Sequence, residues 1–351
     1  MAVQAGQAPA AQRPAPSRGR AVADGAVGVV RRFLTLREGS VIVITIVVAV
    51  YFAVTTNAFL TFDNFKTLLP YFAPIAILAA GEVFLMINGE IDLSIGAVYL
   101  FAPFLFYEVN NGGVPLVPSL IVAFLACAVI GMVNGIFNAV IGIASFIATL
   151  GMLLTVEGVT LIISHAQPVP TPGTSVTSGP STFASIFGGG TYSELIWALV
   201  IVALLQIVLV RMRWGVYTIA VGGNRVGAAE AGIRARMVVI GNFVLCALCA
   251  GVVGILEAVR TTSVQPDPSG AADVLFDGIS AAVIGGTLLA GGSGTVVGAL
   301  IGALFLGILR DGLTIKGVNA DYLSFYLGLA IIIAMAANTY VGRVRRGAAG
   351  G

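Results

Sequence analysis

The sequence predicts an all-α, polytopic integral membrane protein with about ten transmembrane helices. Hydrophobic residues make up 58% of the chain and charged residues only 10%, whereas a soluble domain carries about 25% charged residues. Apolar stretches of about 20 residues, the length that crosses a bilayer, recur along the chain. The arginines are gathered in a few clusters beside or between these stretches. Together these observations exclude an ordinary soluble domain.

The two ends of the chain differ in composition from its apolar body. Residues 1–38 are rich in Ala, Pro, Gln, Gly and Arg, which predicts a disordered cytoplasmic tail. We expect a transmembrane domain at 39–341 and a short cytoplasmic tail at 342–351. The first apolar stretch is long enough to span a membrane, so we interpret it as an uncleaved anchor rather than a signal peptide.

The apolar stretches predict the positions of the spans. The predicted ranges are 41–59, 68–88, 93–108, 115–141, 144–163, 194–212, 237–257, 274–290, 293–312 and 321–341. Pro70 and Pro74 are expected to break or kink the second span, and Gly285-Gly286 interrupts the eighth. Because irregular backbone at membrane depth must face protein or water, we expect broken helices in the core.

The arginine clusters orient these spans. They lie in the N-terminal tail, in the central loop 213–236 and at the C-terminal end. Positively charged loops stay in the cytoplasm, so all three clusters and both termini should be cytoplasmic. Six spans before the central loop and four after it satisfy this condition. The loop 164–193 and the segment 261–273 would then lie on the outer face.

The central loop contains a candidate docking helix. Asn224 can cap a short helix. In that helix Ala228 would stack on Gly232, and Ala229 on Ile233, at i, i+4 spacing. This face of small residues would let a groove on another protein approach the backbone closely. The loop therefore predicts a protein partner on the cytoplasmic face.

The segment 88–96 is the most charged neighbourhood within the apolar frame, with Glu90 and Asp92 two residues apart. A charged group at the bilayer centre costs about 2.5–3.5 kcal/mol on insertion scales. The segment therefore lies near the cytoplasmic interface or faces a wet cavity. The alternative is that these polar groups only cap helix ends.

Further charged residues are assigned to outer helix ends. Glu257 and Arg260 are spaced to pair at one such end, and Arg310 and Asp311 lie together at another. We interpret both pairs as structural.

Motifs of common catalytic sites are missing from the sequence. It contains no GxxxxGK[ST] phosphate loop, no HExxH zinc motif and no GxSxG elbow. Its one histidine, His165, cannot by itself build a zinc site, and its three cysteines lie in apolar stretches. We expect no enzyme activity, no metal site and no nucleic-acid partner. The chain alone should not hydrolyse ATP.

Four blocks of sequence carry a resemblance to a known family. They are Gly89 to Gly96; Asn134-Gly135 followed by Ser145 to Gly151; Gly222 to Ile233; and Ile279 to Thr287 with Gly291 to Gly294. In this order they resemble the permease subunits of ATP-binding-cassette (ABC) sugar importers, in the ribose, xylose and galactose branch. The resemblance covers about residues 40–341. The chain departs from the family at Glu90, where many relatives have glycine, and at Ala231, where a small hydroxyl residue is usual.

The resemblance implies a permease of the bacterial cytoplasmic membrane that translocates a pentose or hexose. An extracytoplasmic binding protein would deliver the sugar. A separate ABC ATPase subunit would bind ATP and Mg²⁺, and a second permease subunit would complete a homodimer. The implied ATPase-coupling residues are Asn224, Arg225, Ala228, Ala229, Gly232 and Ile233. The residues expected to line the translocation pathway are Glu90, Asp92, Ser94, Asn134, Asp277 and Ser280.

Two other function classes remain open from the sequence. A secondary transporter of a small polar solute would work without an ATPase. Its usual sign, paired acidic and basic groups at mid-membrane, is not evident in the sequence. An intramembrane hydrolase would need a nucleophile and a base, and no such set stands out.

Overall fold

The computed structural model describes residues 38–174 and 181–349, so most of the predicted N-terminal tail lies outside the described residues. The first helices are α1 (Gly39–Thr55), α2 (Phe62–Ile87), α3 (Ile95–Asn111), α4 (Leu116–Ile136), α5 (Ser145–Ile163), α6 (Thr182–Ile186) and α7 (Ser193–Arg211). They are followed by α8 (Arg213–Gly223), α9 (Arg225–Glu230), α10 (Ala235–Thr261), α11 (Pro268–Ile284), α12 (Val296–Ile315) and α13 (Ala320–Ala349). Helix α4 continues into a π-helical turn, Phe137–Ile141. Two short strands, β1 (Val169–Pro170) and β2 (Ser263–Val264), pair antiparallel.

A helix occupies each of the ten ranges predicted from the apolar stretches. Within the described residues, six helical stretches are long and apolar enough to cross a membrane. These are α2, α4 with its π turn, α5, α7, α10 and α12. Shorter apolar helices lie at Gly39–Thr55 and Tyr322–Ala336. The prediction of a mostly helical, polytopic protein is confirmed.

Several helix ends differ from the predicted boundaries. Helix α11 begins six residues before the predicted start at 274, because the Asp267 side chain accepts a hydrogen bond from the Ser269 amide and Pro268 opens the first turn. It ends at Ile284 rather than 290, before the glycine-rich loop 285–295. The last helix continues to Ala349, beyond the predicted end of the span at 341, and the cytoplasmic tail at 342–351 stays a prediction. The central loop is itself largely helical, since it contains α8 and α9.

Helix α2 is unbroken, although it contains Pro70 and Pro74. The prolines therefore do not break the helix, and the kink stays a prediction. From Phe72 to its end the helix is buried on every side, and it packs against α12, α10, α11 and α7. Neighbouring helices can compensate for the amide that proline lacks. The interruption predicted at Gly285-Gly286 is confirmed, since α11 ends at Ile284, and a second interruption follows α2 at 88–94.

The peripheral helices expose apolar side chains. Val54 on α1 is 79% exposed, Ile162 on α5 is 72% exposed, and Ile332 on α13 is 66% exposed. Further exposed Val, Ile and Leu side chains lie on α4 and α7. Soluble proteins avoid contiguous apolar surfaces of this extent, whereas lipid or another membrane subunit covers them in a bilayer.

The predicted outer loops and the turn at 88–94 lie on different parts of the helical body. Strands β1 and β2 join the segments 164–193 and 261–273, as expected if both belong to one face. The turn at 88–94 contacts α9 instead, through Glu90 and Arg225. The 88–96 segment thus contacts the basic central loop, and its placement near the cytoplasmic interface stays a prediction.

Candidate functional site

The turn at 88–94 is the point where the four family-like blocks meet. It follows α2 and leads into α3, and it contacts α4, α5, α9 and the glycine-rich loop after α11. Two of its amides are bound by side chains of α5: the Ile91 amide donates to Ser145 Oγ at 3.3 Å, and the Leu93 amide donates to Thr149 Oγ1 at 3.1 Å. These two backbone donors are thus satisfied by side chains rather than by helix or sheet.

A buried polar cluster anchors the end of this turn. Asp92 Oδ1 accepts hydrogen bonds from the Ser94 amide at 2.8 Å and from Ser94 Oγ at 2.6 Å. Asn134 Nδ2 on α4 donates to Ser94 Oγ at 2.8 Å and lies 3.4 Å from Asp92 Oδ1. All three residues have no exposed surface. The cluster fixes the start of α3 against α4, so three of the predicted pathway residues are brought together in a closed position.

Replacing Asp92 by leucine is expected to destabilise the folded protein by about 2–4 kcal/mol, because the Ser94 and Asn134 donors lose a buried acceptor. Asp92→Asn keeps one acceptor oxygen and should be much milder. Thermal unfolding of both variants in detergent, followed by size-exclusion chromatography, measures the difference. Equal stability of the leucine variant and the unchanged protein would show that the cluster does not hold the turn.

Glu90 bridges the turn to two other elements. Its Oε2 accepts a hydrogen bond from Asn138 Nδ2 at 2.9 Å, within the π turn after α4. Its Oε1 lies 3.1 Å from Arg225 Nη2 at the start of α9. The charge that departs from the family pattern is therefore paired with the first helical residue of the predicted docking segment.

Helix α9 is shorter than the sequence predicts. Asn224 caps it as expected, since its Oδ1 accepts a hydrogen bond from the Gly227 amide at 2.9 Å. The helix ends at Glu230, and Gly232 has φ +83°, a left-handed conformation that ends helices and favours glycine. The Ile233 amide then donates to the Ala228 carbonyl. The predicted stacking of two i, i+4 pairs on one continuous helix is therefore wrong.

The exposed surface around α9 is nonetheless made of small and apolar residues. Val226 is 69% exposed, and Ala229, Ala231 and Gly232 are also exposed, whereas Ala228 faces the interior. An apolar groove of about 720 Å³ lies beside the helix. Its lining includes Val140, Val226, Ala229, Met237 and Ile240, with arginines 225, 234 and 236 among the lining residues.

Asn242 on α10 is the centre of a polar network that sequence reasoning missed. Its Nδ2 donates to Asn88 Oδ1 at 2.7 Å, and its Oδ1 accepts from Trp214 Nε1 of α8 at 2.8 Å. Asn88 Nδ2 in turn donates to the Thr218 carbonyl at 2.8 Å. The network joins α8, α10 and the end of α2. A single asparagine within an apolar span was the available signal.

Asp277 and Ser280 lie on α11, and no hydrogen bond or ion pair in the described part of the chain joins them to the Asp92 cluster. Asp277 Oδ2 lies 3.0 Å from Arg310 Nη2 on α12. The sequence paired Arg310 with Asp311, and this is wrong, because Asp311 Oδ2 accepts from Asn64 Nδ2 at 2.8 Å. The structure therefore divides the predicted pathway residues into two groups.

The Glu257–Arg260 pair predicted at the end of α10 is confirmed. Arg260 Nε also lies 3.2 Å from Glu194 Oε1 on α7, so the guanidinium connects two helices. Among the described residues, no group of three His, Cys, Asp or Glu side chains is arranged to hold a metal ion.

Comparison with known proteins decides the family. Residues 64–335 match the family described as "Branched-chain amino acid transport system / permease component". The chain belongs to this permease family. The match includes α2 to α12 almost completely, and therefore all of the candidate site residues.

Relatives of the permease include proteins named as sugar import permeases. It is 34% identical to the xylose/arabinose import permease protein of Sulfolobus acidocaldarius, over 90% of this chain and 88% of that relative. It is 32% identical to the ribose import permease protein of Escherichia coli K12, over 87% and 95% respectively. The D-allose transport system permease protein of the same organism is 28% identical, over 88% and 93%. No solved structure matches the permease significantly.

These relatives extend the match along nearly the whole permease. Together with the apolar helices, they identify it as a multi-pass protein of the inner membrane and as the permease component of an ABC import system.

Proposed function

We propose that the permease translocates a monosaccharide, a pentose or a hexose, as the transmembrane subunit of an ATP-driven importer. One observation carries this proposal: the chain is similar over most of its length to permeases named for xylose or arabinose, ribose and allose import. These sugars differ in size and stereochemistry but share a neutral, polyhydroxylated ring. The similarity therefore supports the substrate class rather than one sugar.

The proposed topology has ten spans with both termini in the cytoplasm. It rests on the positive clusters at both ends and in the central loop, which resist translocation. In this arrangement α8 and α9 lie on the cytoplasmic face. The paired segments around β1 and β2 lie on the outer face, where they would receive an extracytoplasmic sugar-binding protein. The exposed apolar faces of the peripheral helices would contact lipid and a second copy of the permease.

The proposed docking element for the ATPase is α9. The exposed side chains of Val226 and Ala229 offer a small apolar surface, and three arginines surround it. A cleft on the partner could approach this short helix closely because its outer residues are small. ATP and Mg²⁺ would bind to the ATPase subunit, and this chain would carry out no hydrolysis.

The connection from α9 to the transmembrane core is proposed to run through the 88–94 turn. Movement of α9 would act on Glu90 through Arg225, and movement of α8 would act on Asn88 through Thr218 and the Asn242 network. The turn is tied to the Asp92 cluster and thereby to α3 and α4. Closure of the ATPase would rearrange these helices and give alternating access. Opening of the cluster would expose Asp92, Ser94 and Asn134 to the pathway.

The proposed function is tested by reconstitution in proteoliposomes with a cognate ATPase and binding protein. Uptake of labelled D-ribose and D-xylose should require all three components, and omission of any one should remove it. Uptake that is unchanged without the ATPase would exclude the ATP-driven mechanism. A system that accumulates L-leucine but neither these pentoses nor D-allose would exclude the sugar assignment.

The contact between Glu90 and Arg225 predicts a non-additive pair of mutations. Because Arg225 is half exposed, the pair itself contributes about 0.2–1 kcal/mol. Glu90→Gln and Arg225→Gln should each lower ATP-driven uptake a few-fold, and the double variant should be no worse than either one. Initial uptake rates at equal protein levels test this. Losses that multiply in the double variant would mean that the two residues act independently.

A further inference from the structure

A cavity of about 390 Å³ with several charged side chains in its lining lies between α2, α3, α10, α11 and α12, away from the 88–94 turn. Two tyrosines, two carboxylates and two guanidiniums contribute to its lining: Tyr71, Tyr99, Glu257, Arg260, Asp277 and Arg310. A second cavity of about 270 Å³ shares Tyr99 and Glu257 with it and extends to Ser263 and Val264 of β2. The two cavities therefore have lining residues in common, and the smaller one reaches β2.

The charges that line the larger cavity are mutually neutralised. Asp277 pairs with Arg310 across α11 and α12, and Glu257 pairs with Arg260 along α10. Arg260 also contacts Glu194 of α7, so both guanidiniums are already engaged by carboxylates and neither is left to hold an anion. Each pair still has free donors and acceptors, because a guanidinium carries five N–H groups and a carboxylate has about four lone-pair sites.

The side chains of these pairs line the cavity and are partly exposed, except that Asp277 is only 11% exposed. The side chains of Arg310 and Arg260 are 29% and 36% exposed, and that of Glu257 is 25% exposed. Charged groups on membrane-spanning helices generally face a partner charge or a wet cavity rather than lipid. The lining therefore offers hydrogen bonds to a polar solute within the body of the protein.

Tyr71 on α2 and Tyr99 on α3 add aromatic surface to these polar groups. Both are partly buried and line the cavity with one apolar ring and one hydroxyl group each. A sugar ring has an apolar C–H face and a rim of hydroxyls. An aromatic surface combined with charge-paired hydrogen-bonding groups is complementary to both features.

We infer that this cavity is a transient binding subsite for a neutral monosaccharide within the permease itself. The inference rests on the proposed function and places a sugar-contacting step after release from the binding protein. The tyrosines would contact the ring face, and the Asp277–Arg310 and Glu257–Arg260 pairs would bind hydroxyls. An importer needs such a site to be weak, so that the sugar moves onward; we expect a Kd of about 1–10 mM, equivalent to about 3–4 kcal/mol.

The test is binding of ¹³C-labelled D-xylose and D-ribose to the full-length permease in nanodiscs, without ATPase or binding protein, measured by saturation-transfer NMR. The expected result is saturable binding of at least one pentose, weakened about tenfold or more by Tyr99→Leu and by Asp277→Asn. Tyr71→Leu, at a partly exposed position, provides a further variant if either of these fails to fold. The matched control is Tyr322→Leu on the exposed surface of α13, which should bind as the unchanged protein does.

Absence of saturable binding, or binding that the folded cavity variants leave unchanged, would overturn the inference. Stronger binding of L-leucine than of either pentose would also overturn it. Uptake of the same sugars with permease, ATPase and binding protein together distinguishes failure of the subsite from failure of the proposed function. Normal ATP-driven uptake without binding to the permease alone would reject only the subsite, whereas absence of sugar uptake would reject the proposed function.

Discussion

Ala229→Arg is expected to abolish ATP-driven uptake while leaving the permease folded. Ala229 is exposed on α9 and lines the apolar groove beside that helix, so a longer side chain meets solvent rather than the protein interior. Arginine also has good helix propensity. In the complex with the ATPase, however, the arginine charge would enter a cleft that fits a small residue. Burial of an unpaired charge costs about 3–5 kcal/mol, enough to weaken docking at least 100-fold.

Gln167→Arg is the matched control for this variant. Gln167 is exposed beside β1, on the face that we assign to the outside, and it receives the same added charge. Co-purification with the ATPase and sugar uptake should both be lost in Ala229→Arg and retained in Gln167→Arg. Retained docking and uptake in Ala229→Arg would remove α9 from the ATPase interface.

Gly222→Ala is expected to destabilise the permease strongly. A Cβ atom at Gly222 would lie 1.9 Å from the Ile87 carbonyl oxygen, which is backbone and cannot move alone. The same oxygen accepts a hydrogen bond from the Gly292 amide at 2.7 Å. Relief of the clash would therefore separate α8, the end of α2 and the glycine-rich loop. Overpacking and the lost bond together should cost about 2–4 kcal/mol.

The neighbouring glycine provides a control within the same helix. A Cβ atom at Gly223 meets nothing within 4 Å. Gly223→Ala should be neutral or slightly stabilising, because alanine favours helix by about 1 kcal/mol over glycine. Thermal unfolding in detergent should show a lower Tm for Gly222→Ala only. Equal Tm values for the two variants would mean that α8 does not pack against Ile87 as described.

The helical layout was predictable because bilayer thickness fixes the length of an apolar stretch. This constraint predicted where the helices lie, but it did not predict the residues at which they begin and end. The start of α11 was missed, although Asp267 and Pro268 are a readable cap and first turn. Hydropathy alone also does not predict whether a proline interrupts a helix. Helix α2 continues through Pro70 and Pro74 because packed neighbours surround it.

Individual residues of the site were predictable from the sequence, but the contacts between them were not. The sequence pointed separately to Glu90 and to the α9 segment, yet their ion pair joins positions 135 residues apart. Asn242 was missed for the same reason, because its partner Asn88 lies 154 residues away in the sequence. Asp277 was selected because it is a polar residue in an apolar setting, but its partner Arg310 was assigned to Asp311 by sequence proximity. Contacts between distant segments depend on helix packing, which periodicity does not specify.

The most direct test of the account is the energy source of uptake in reconstituted proteoliposomes. ATP is supplied to the ATPase side together with ionophores that collapse ion gradients, and labelled pentose is supplied with the binding protein on the other side. We predict uptake that depends on ATP, is unaffected by the ionophores and is lost in Ala229→Arg. Uptake by the permease alone, driven by an ion gradient without ATP, would contradict the account and identify a secondary transporter.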